Sequence, residues 1–173
     1  YKMNIRNIKK IDENQYVCEY EHPQYGWIPY TALEDGDTDV MVEIFNICKN
    51  TKNVEYDIEI IKSGAEWELI SSCNQKVAAL ETKYDKREMS LWNTKRAEAE
   101  KILNGGTSTL IETEAKIKDI SPLEIARKIV NKNDNYNIKT VEMESIKYNI
   151  KKEFANIETL DQVKTIKSKY SKI

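Results

Sequence analysis

Between Ala65 and Leu103 the chain contains neither glycine nor proline, and nothing else in it restricts the fold as much. Across that stretch Trp67, Ile70, Val77, Leu80, Tyr84 and Leu91 recur at steps of three, four and seven, the spacing that lines one face of an α-helix. A continuous helix there would run roughly 55 to 60 Å at about 1.5 Å per residue, further than one small domain covers. The stripe decays at Arg87 and Thr94, where a coiled-coil seam wants apolar side chains, so a bend near Asp85 competes with a sustained coiled coil. Asn104-Gly105-Gly106 ends the run.

Ahead of this stretch the pattern is that of strands. Ile5, Ile8 and Ile11 lead into the polar turn Asp12-Glu13-Asn14, and Tyr16, Cys18 and Tyr20 then put every second side chain on one face. His22 to Gly26 supplies a second turn, and Trp27 to Leu33 returns as a third strand in which Pro29 marks an edge or a bulge. So small a meander needs a helix on its apolar face. Met41, Ile44, Phe45 and Cys48 provide one, with Asp37 or Thr38 as N-cap and an end near Lys49-Asn50. Val54, Tyr56, Ile58 and Ile60 alternate again and read as a further strand, which Ser63-Gly64 closes.

Beyond Gly106, Thr109 with Glu112, Ser121 with Glu124 and Thr159 with Gln162 each place a hydroxyl three residues before an acid or amide. That is the capping-box pattern of a helix start. Pro122 suits a first helical position, and Met143, Ile146, Ile150, Phe154 and Ile157 form an apolar stripe. A bundle of about four short helices is expected over 107–173. The fold class is therefore α+β: a small antiparallel sheet with a helix at the N-terminus (1–64), a long central helix or coiled-coil connector (65–106) and a small C-terminal helical bundle (107–173).

Composition narrows function mainly by exclusion. The 173 residues carry 27 Lys and Arg against 29 Asp and Glu, a net charge of -2, which draws the chain neither to nucleic acid nor to an anionic membrane. Four lysines between Lys164 and Lys172 suit the negative end of a final helix better than a nucleic-acid stripe. No apolar run approaches the roughly 20 residues that span a bilayer, and Tyr1 to Lys10 lacks the apolar stretch of a signal peptide. With no initiating Met, the first residue is not expected to be the natural start. Cys18, Cys48 and Cys73, on a strand and two helices, are expected as free and mostly buried thiols.

The single histidine, His22, leaves no metal-binding set and would be the sole histidine base for a nucleophile, without a Gly-x-Ser-x-Gly elbow. Gly105-Gly106 lacks the Lys-Ser or Lys-Thr of a phosphate loop. No metal, no cofactor and no catalytic residue are expected, and the scattered acids read as solvated surface. What remains is aromatic and apolar. Tyr25, Trp27 and Tyr30 crowd one strand, where they either cover the first helix or bind a partner, and Trp92 lies off the long stripe. The expected partner-binding set is Tyr25, Trp27, Tyr30, Trp67, Leu80, Tyr84, Leu91 and Trp92.

The run Thr113-Glu114-Ala115-Lys116-Ile117-Lys118-Asp119-Ile120-Ser121-Pro122-Leu123-Glu124-Ile125-Ala126, followed by Ile129, Tyr136, Ile146, Ile150 and Ile157-Glu158-Thr159-Leu160 with Val163, resembles the C-terminal domain of bacteriophage tail-fibre-associated proteins. Trp27-Ile28-Pro29-Tyr30-Thr31-Ala32 with its acidic turn looks like their N-terminal part. The Asn-rich stretch Asn131 to Asn137 departs from that pattern and sets helix continuity there in question. The resemblance implies a phage or prophage protein, either a tail fibre assembly chaperone or a minor virion component, with no active-site residue to carry over. Its partners would be a tail fibre or baseplate protein or a second copy of itself, with no nucleic acid and no membrane. It would act in the bacterial cytoplasm during assembly or remain in the virion tail. Two rivals are a host-cell helical adaptor and a glycan hydrolase using two carboxylates.

Overall fold

A computed structural model describes residues 3–173. Three antiparallel strands, β1 (Ile5–Asp12), β2 (Gln15–His22) and β3 (Gly26–Leu33), form one sheet in the order β1-β2-β3. Seven helices follow: α1 (Asp39–Asn50), α2 (Ile58–Glu81), α3 (Lys86–Ser90), α4 (Trp92–Leu103), α5 (Thr109–Lys118), α6 (Pro122–Phe154) and α7 (Leu160–Lys169). The α+β class read from the sequence is the observed one. None of these helices is long and apolar enough to cross a membrane.

The helices and strands group into two compact units, one running up to Leu69 and resuming over Lys151–Lys172, the other covering Ile70–Ile150. Both boundaries fall inside helices, in α2 and in α6.

In the first unit, register pairs Tyr16 with Ala32, Cys18 with Tyr30 and Tyr20 with Ile28, so these six share the face that α1 covers. Ile44, Phe45 and Cys48 of α1 complete that core, with the Tyr16 and Phe45 rings edge to face at 5.7 Å. Thr38 caps α1 by accepting from the Met41 N–H at 3.3 Å, the second of the two expected caps. The Cys48 thiol donates to Cys18, which lowers Cys18 and raises Cys48 relative to an ordinary thiol. All three cysteines are free and buried. On the sheet's other face Arg6 pairs with Glu19 at 2.7 Å, and Asn7, in the left-handed region at φ 54, bulges β1 and donates to the same carboxylate.

The expected strand over Val54 to Ile60 is not formed. Tyr56 alone makes a parallel bridge, to Lys10, and Ile58 already belongs to α2. Asp57 is the reason: its side chain accepts from the Ile60 N–H at 3.2 Å and starts a helix where alternation suggested a strand. Ser63 and Gly64 therefore lie within α2 instead of closing a unit.

The second unit corrects the long central helix. The helical path stops after Glu81, and Asp85 restarts it by accepting from the N–H groups of Arg87 and Glu88, so the bend near Asp85 is present and a continuous coiled-coil rod is not. At the end of α4, Gly105 takes φ 81 and donates to Ile102, while Gly106 donates to Lys101 at 2.9 Å, a Schellman closure. A side chain at Gly106 would press on the Lys101 carbonyl at 3.1 Å.

Helix α5 begins one residue earlier than its expected cap. Ser108, not Thr109, accepts from the Ile111 N–H, and Glu112 reaches back to the Ser108 N–H. Ser121 and Thr159 cap α6 and α7 as read, the latter with a full capping box through Gln162. Only three helices follow Gly106, because α6 runs unbroken for 33 residues through the Asn-rich stretch. Asn133 explains this: its buried amide oxygen accepts from Arg96 at 2.9 Å and from Asn137 at 2.8 Å, so its polar groups serve tertiary contacts and do not compete with the helix backbone. The core of this unit is Ala99, Ile111, Ala115, Ile125 and Ala126, flanked by Ile102, Ile120, Ile129 and Val130.

Candidate protein-contact surface

The first half of α2 turns Ala65 and Leu69 inward, both buried. Residues 60, 64 and 67 stand at spacings of four and three on another face. Ile60 and Trp67 are exposed there, Trp67 to 72%, and Gly64 between them is a notch with nothing within 4 Å of where a Cβ would sit. The notch opens on a shallow groove of about 510 Å³, walled by Ile11 of β1, by Ile61 of α2 and by Leu160 and Val163 of α7. Lys164 and Lys167 rim it, with Lys167 bonded to Glu68 at 2.7 Å.

The phase of that helix face is fixed by Asp57. Its own N–H donates to the Lys10 carbonyl at 2.8 Å, the Lys10 N–H donates to Glu55 at 2.8 Å, and Lys9 pairs with its carboxylate at 3.3 Å. The Ile60 N–H, opposed by burial and reinforced by Lys9, holds the Asp57 carboxyl below the ordinary carboxylate range. The α7 wall is positioned in the same local manner. Thr159 and Gln162 fix the first turn, Val163 and Ile166 are buried, and Glu153 takes Lys169 at 2.6 Å and the Tyr170 hydroxyl at 2.7 Å.

Of the other expected contact residues, Tyr25 is 69% exposed in the turn and stacks on His22 with ring centres 4.8 Å apart. Trp27 lies on the sheet face away from α1, under the Arg6 guanidinium at 4.1 Å. Tyr30 has the opposite parity to Trp27 and packs on the α1 side, edge to face with Tyr20. The cluster therefore splits between two faces. Leu91 is exposed at the junction of α3 and α4.

Tyr84, Trp92 and Tyr136 form a triad of edge-to-face rings with centres 4.9, 5.0 and 6.1 Å apart. Lys132 sits over Tyr84 at 4.7 Å and bonds to Glu88 at 2.6 Å. Trp92 and Tyr84 are thus half-buried parts of the second unit's interior packing, held by Tyr136, which sequence reasoning did not place beside them. Leu80 is half-buried and lines a separate depression with Met143.

No family model, curated protein or solved structure matches this chain. Function is therefore argued from the residues and their geometry. Trp67 is the most exposed of the expected residues and lines a groove with apolar neighbours. Ile60, Gly64, Leu160 and Val163 were not among the expected contact residues. The spacing of Ile60, Gly64 and Trp67 carried a signal, but Leu160 and Val163 reach the groove only through tertiary folding. Among the described residues no group of three or more His, Cys, Asp and Glu is placed to hold a metal ion.

Proposed function

We propose that this chain is a non-catalytic protein-binding component of a phage or prophage tail, assisting assembly of the tail fibre or baseplate or remaining attached to it. The observation that carries the binding reading is the exposed Trp67 beside the Gly64 notch and the α7 wall. Tryptophan is enriched among the residues that carry most of the binding energy at protein interfaces. The resemblance of the run from Thr113 to Ala126 supplies the phage context and names the partner class, a fibre or baseplate protein. Binding would take place in the bacterial cytoplasm during assembly, with the virion tail as the alternative station.

The rival hydrolase reading has less support. In a cavity of the second unit beside Trp92 the two lining acids, Glu88 and Glu114, each bond to lysine. Glu114, pushed up by burial, is nonetheless held below the ordinary carboxylate range by Lys118 and Lys95, the reverse of what a glycosidase acid needs.

The test is co-expression with the fibre and baseplate proteins encoded beside this gene, with wild type compared against Trp67→Lys and Gly64→Phe. A complex retained by wild type and lost by both variants, which fold normally, is the expected result. Neighbouring genes unrelated to tails, or a complex indifferent to both substitutions, would overturn the reading. In the first case the adaptor alternative takes its place.

A further inference from the structure

The second unit holds a cavity of about 230 Å³ in which charges from four helices meet apolar side chains. Lys95 of α4, Lys118 of α5 and Lys128 and Lys132 of α6 line it, against two acids, Glu88 and Glu114. The apolar side chains are Trp92, Ile120, Ile125 and Ile129. We propose that this cavity binds a small organic anion, a carboxylate or phosphate ester carried on a single flat apolar ring.

Charge sign follows from how the acids are occupied. Both Glu114 oxygens are taken, one by Lys95 at 2.9 Å and the other by Lys118 at 2.6 Å, and Glu88 accepts from Lys132 at 2.6 Å. An incoming cation would have to displace a lysine from these bonds. An incoming anion does not, because an ammonium carries three donors and one bond to an acid leaves it able to make others. Lys128 is paired to Glu124 beside the lining at 2.6 Å, so four ammonium groups meet three carboxylates and the local field favours negative charge by one unit. The Lys95–Glu114 pair is only about a fifth exposed on either side, which weakens solvent screening at that end.

Size and shape set the rest of the ligand. A dry cavity of about 150 Å³ accommodates benzene, so 230 Å³ has room for one ring with a compact anionic head. Trp92 is braced by Tyr84 and Tyr136. Its ring therefore offers a fixed surface to the ligand at small entropic cost. This inference concerns the second unit and does not depend on the Trp67 groove.

Heteronuclear NMR on the full chain tests it, with the Trp92 indole N–H as reporter, assigned by Trp92→Phe, and the Trp27 and Trp67 indoles as internal controls. Phenyl phosphate and benzoate are the probes, and benzyl alcohol, benzylamine and inorganic phosphate are the comparisons. A saturable shift confined to Trp92 with half-saturation at about 1 mM or below is expected for at least one aromatic anion. Which of the two binds better identifies the head group. Lys128→Met should weaken binding about tenfold, the effect of one charge-assisted contact, and Lys128→Arg should restore it. Equal binding of benzyl alcohol, inorganic phosphate binding as well as the ring compounds, indifference to Lys128→Met, or no Trp92 shift at all would each overturn the proposal.

Discussion

The Nη1 of Arg96 lies 2.9 Å from the Oδ1 of Asn133, joining α4 to a buried amide on α6. The same guanidinium also binds Asp134 and, through Nε, Glu100 at 2.9 Å. Arg96→Ala should destabilise the full chain, because it leaves the buried Asn133 acceptor with Asn137 as its remaining partner. Urea denaturation measures this. A double-mutant cycle with Asn133→Ala should show coupling, and strictly additive effects would mean that the bond contributes nothing of its own.

Two adjacent hydroxyls make opposite predictions. Ser108 is the buried cap of α5, so Ser108→Ala should cost about 1 kcal/mol, with up to about 2 within the usual range. Thr109 is exposed at the first helical position, and Thr109→Ala should stay within about 0.5 kcal/mol of wild type. Denaturation midpoints for the pair decide which residue starts the helix.

Replacing Gly64 by Ala should stabilise the chain by about 0.5 to 1 kcal/mol. The residue is interior to α2, its added Cβ meets nothing within 4 Å, and alanine loses less backbone entropy in a helix than glycine. Thermal unfolding checks this. A lower melting temperature would mean that the notch is needed by the fold itself.

Acid sensitivity should depend on Glu114. Its folded pKa is depressed below the ordinary 4.5, so the stability it contributes is fully present above that value and is lost as pH falls through the folded one. Glu114→Gln should therefore be less stable than wild type at neutral pH, and the gap between the two should close as pH falls below 4.5. Urea midpoints for both chains at neutral and acidic pH read it out, and a gap that stays constant would sink the assignment.

Legibility in the sequence followed the range over which each signal acts. The meander, α1 and the starts of α6 and α7 were readable because Asp12 to Asn14, Thr38, Ser121 and Thr159 act on backbone groups within a few residues. The segment after Asn53 misled because Ile58 fits both a two-residue and a helical period, and a single side chain, Asp57, decided between them. Likewise helix continuity was in question over the Asn-rich part of α6, since the Arg96 that occupies Asn133 is remote in sequence. For the candidate surface, Trp67 was visible as an aromatic. The α7 residues beside it were not, because helical spacing within α2 says nothing about what stands across from it. Trp92 was similarly judged without Tyr136.

Because the first compact unit takes its residues from both ends of the described chain, its completion is tied to the order of synthesis. The strands and α1 emerge from the ribosome before the second unit, yet Phe154, Ile157, Val163 and Ile166, all buried, are added only after it. The contiguous unit from Ile70 to Ile150 has every residue it needs before that point. A nascent chain therefore holds its sheet-bearing part unfinished, with Ala65 awaiting Leu160 and Val163, until translation has passed α7.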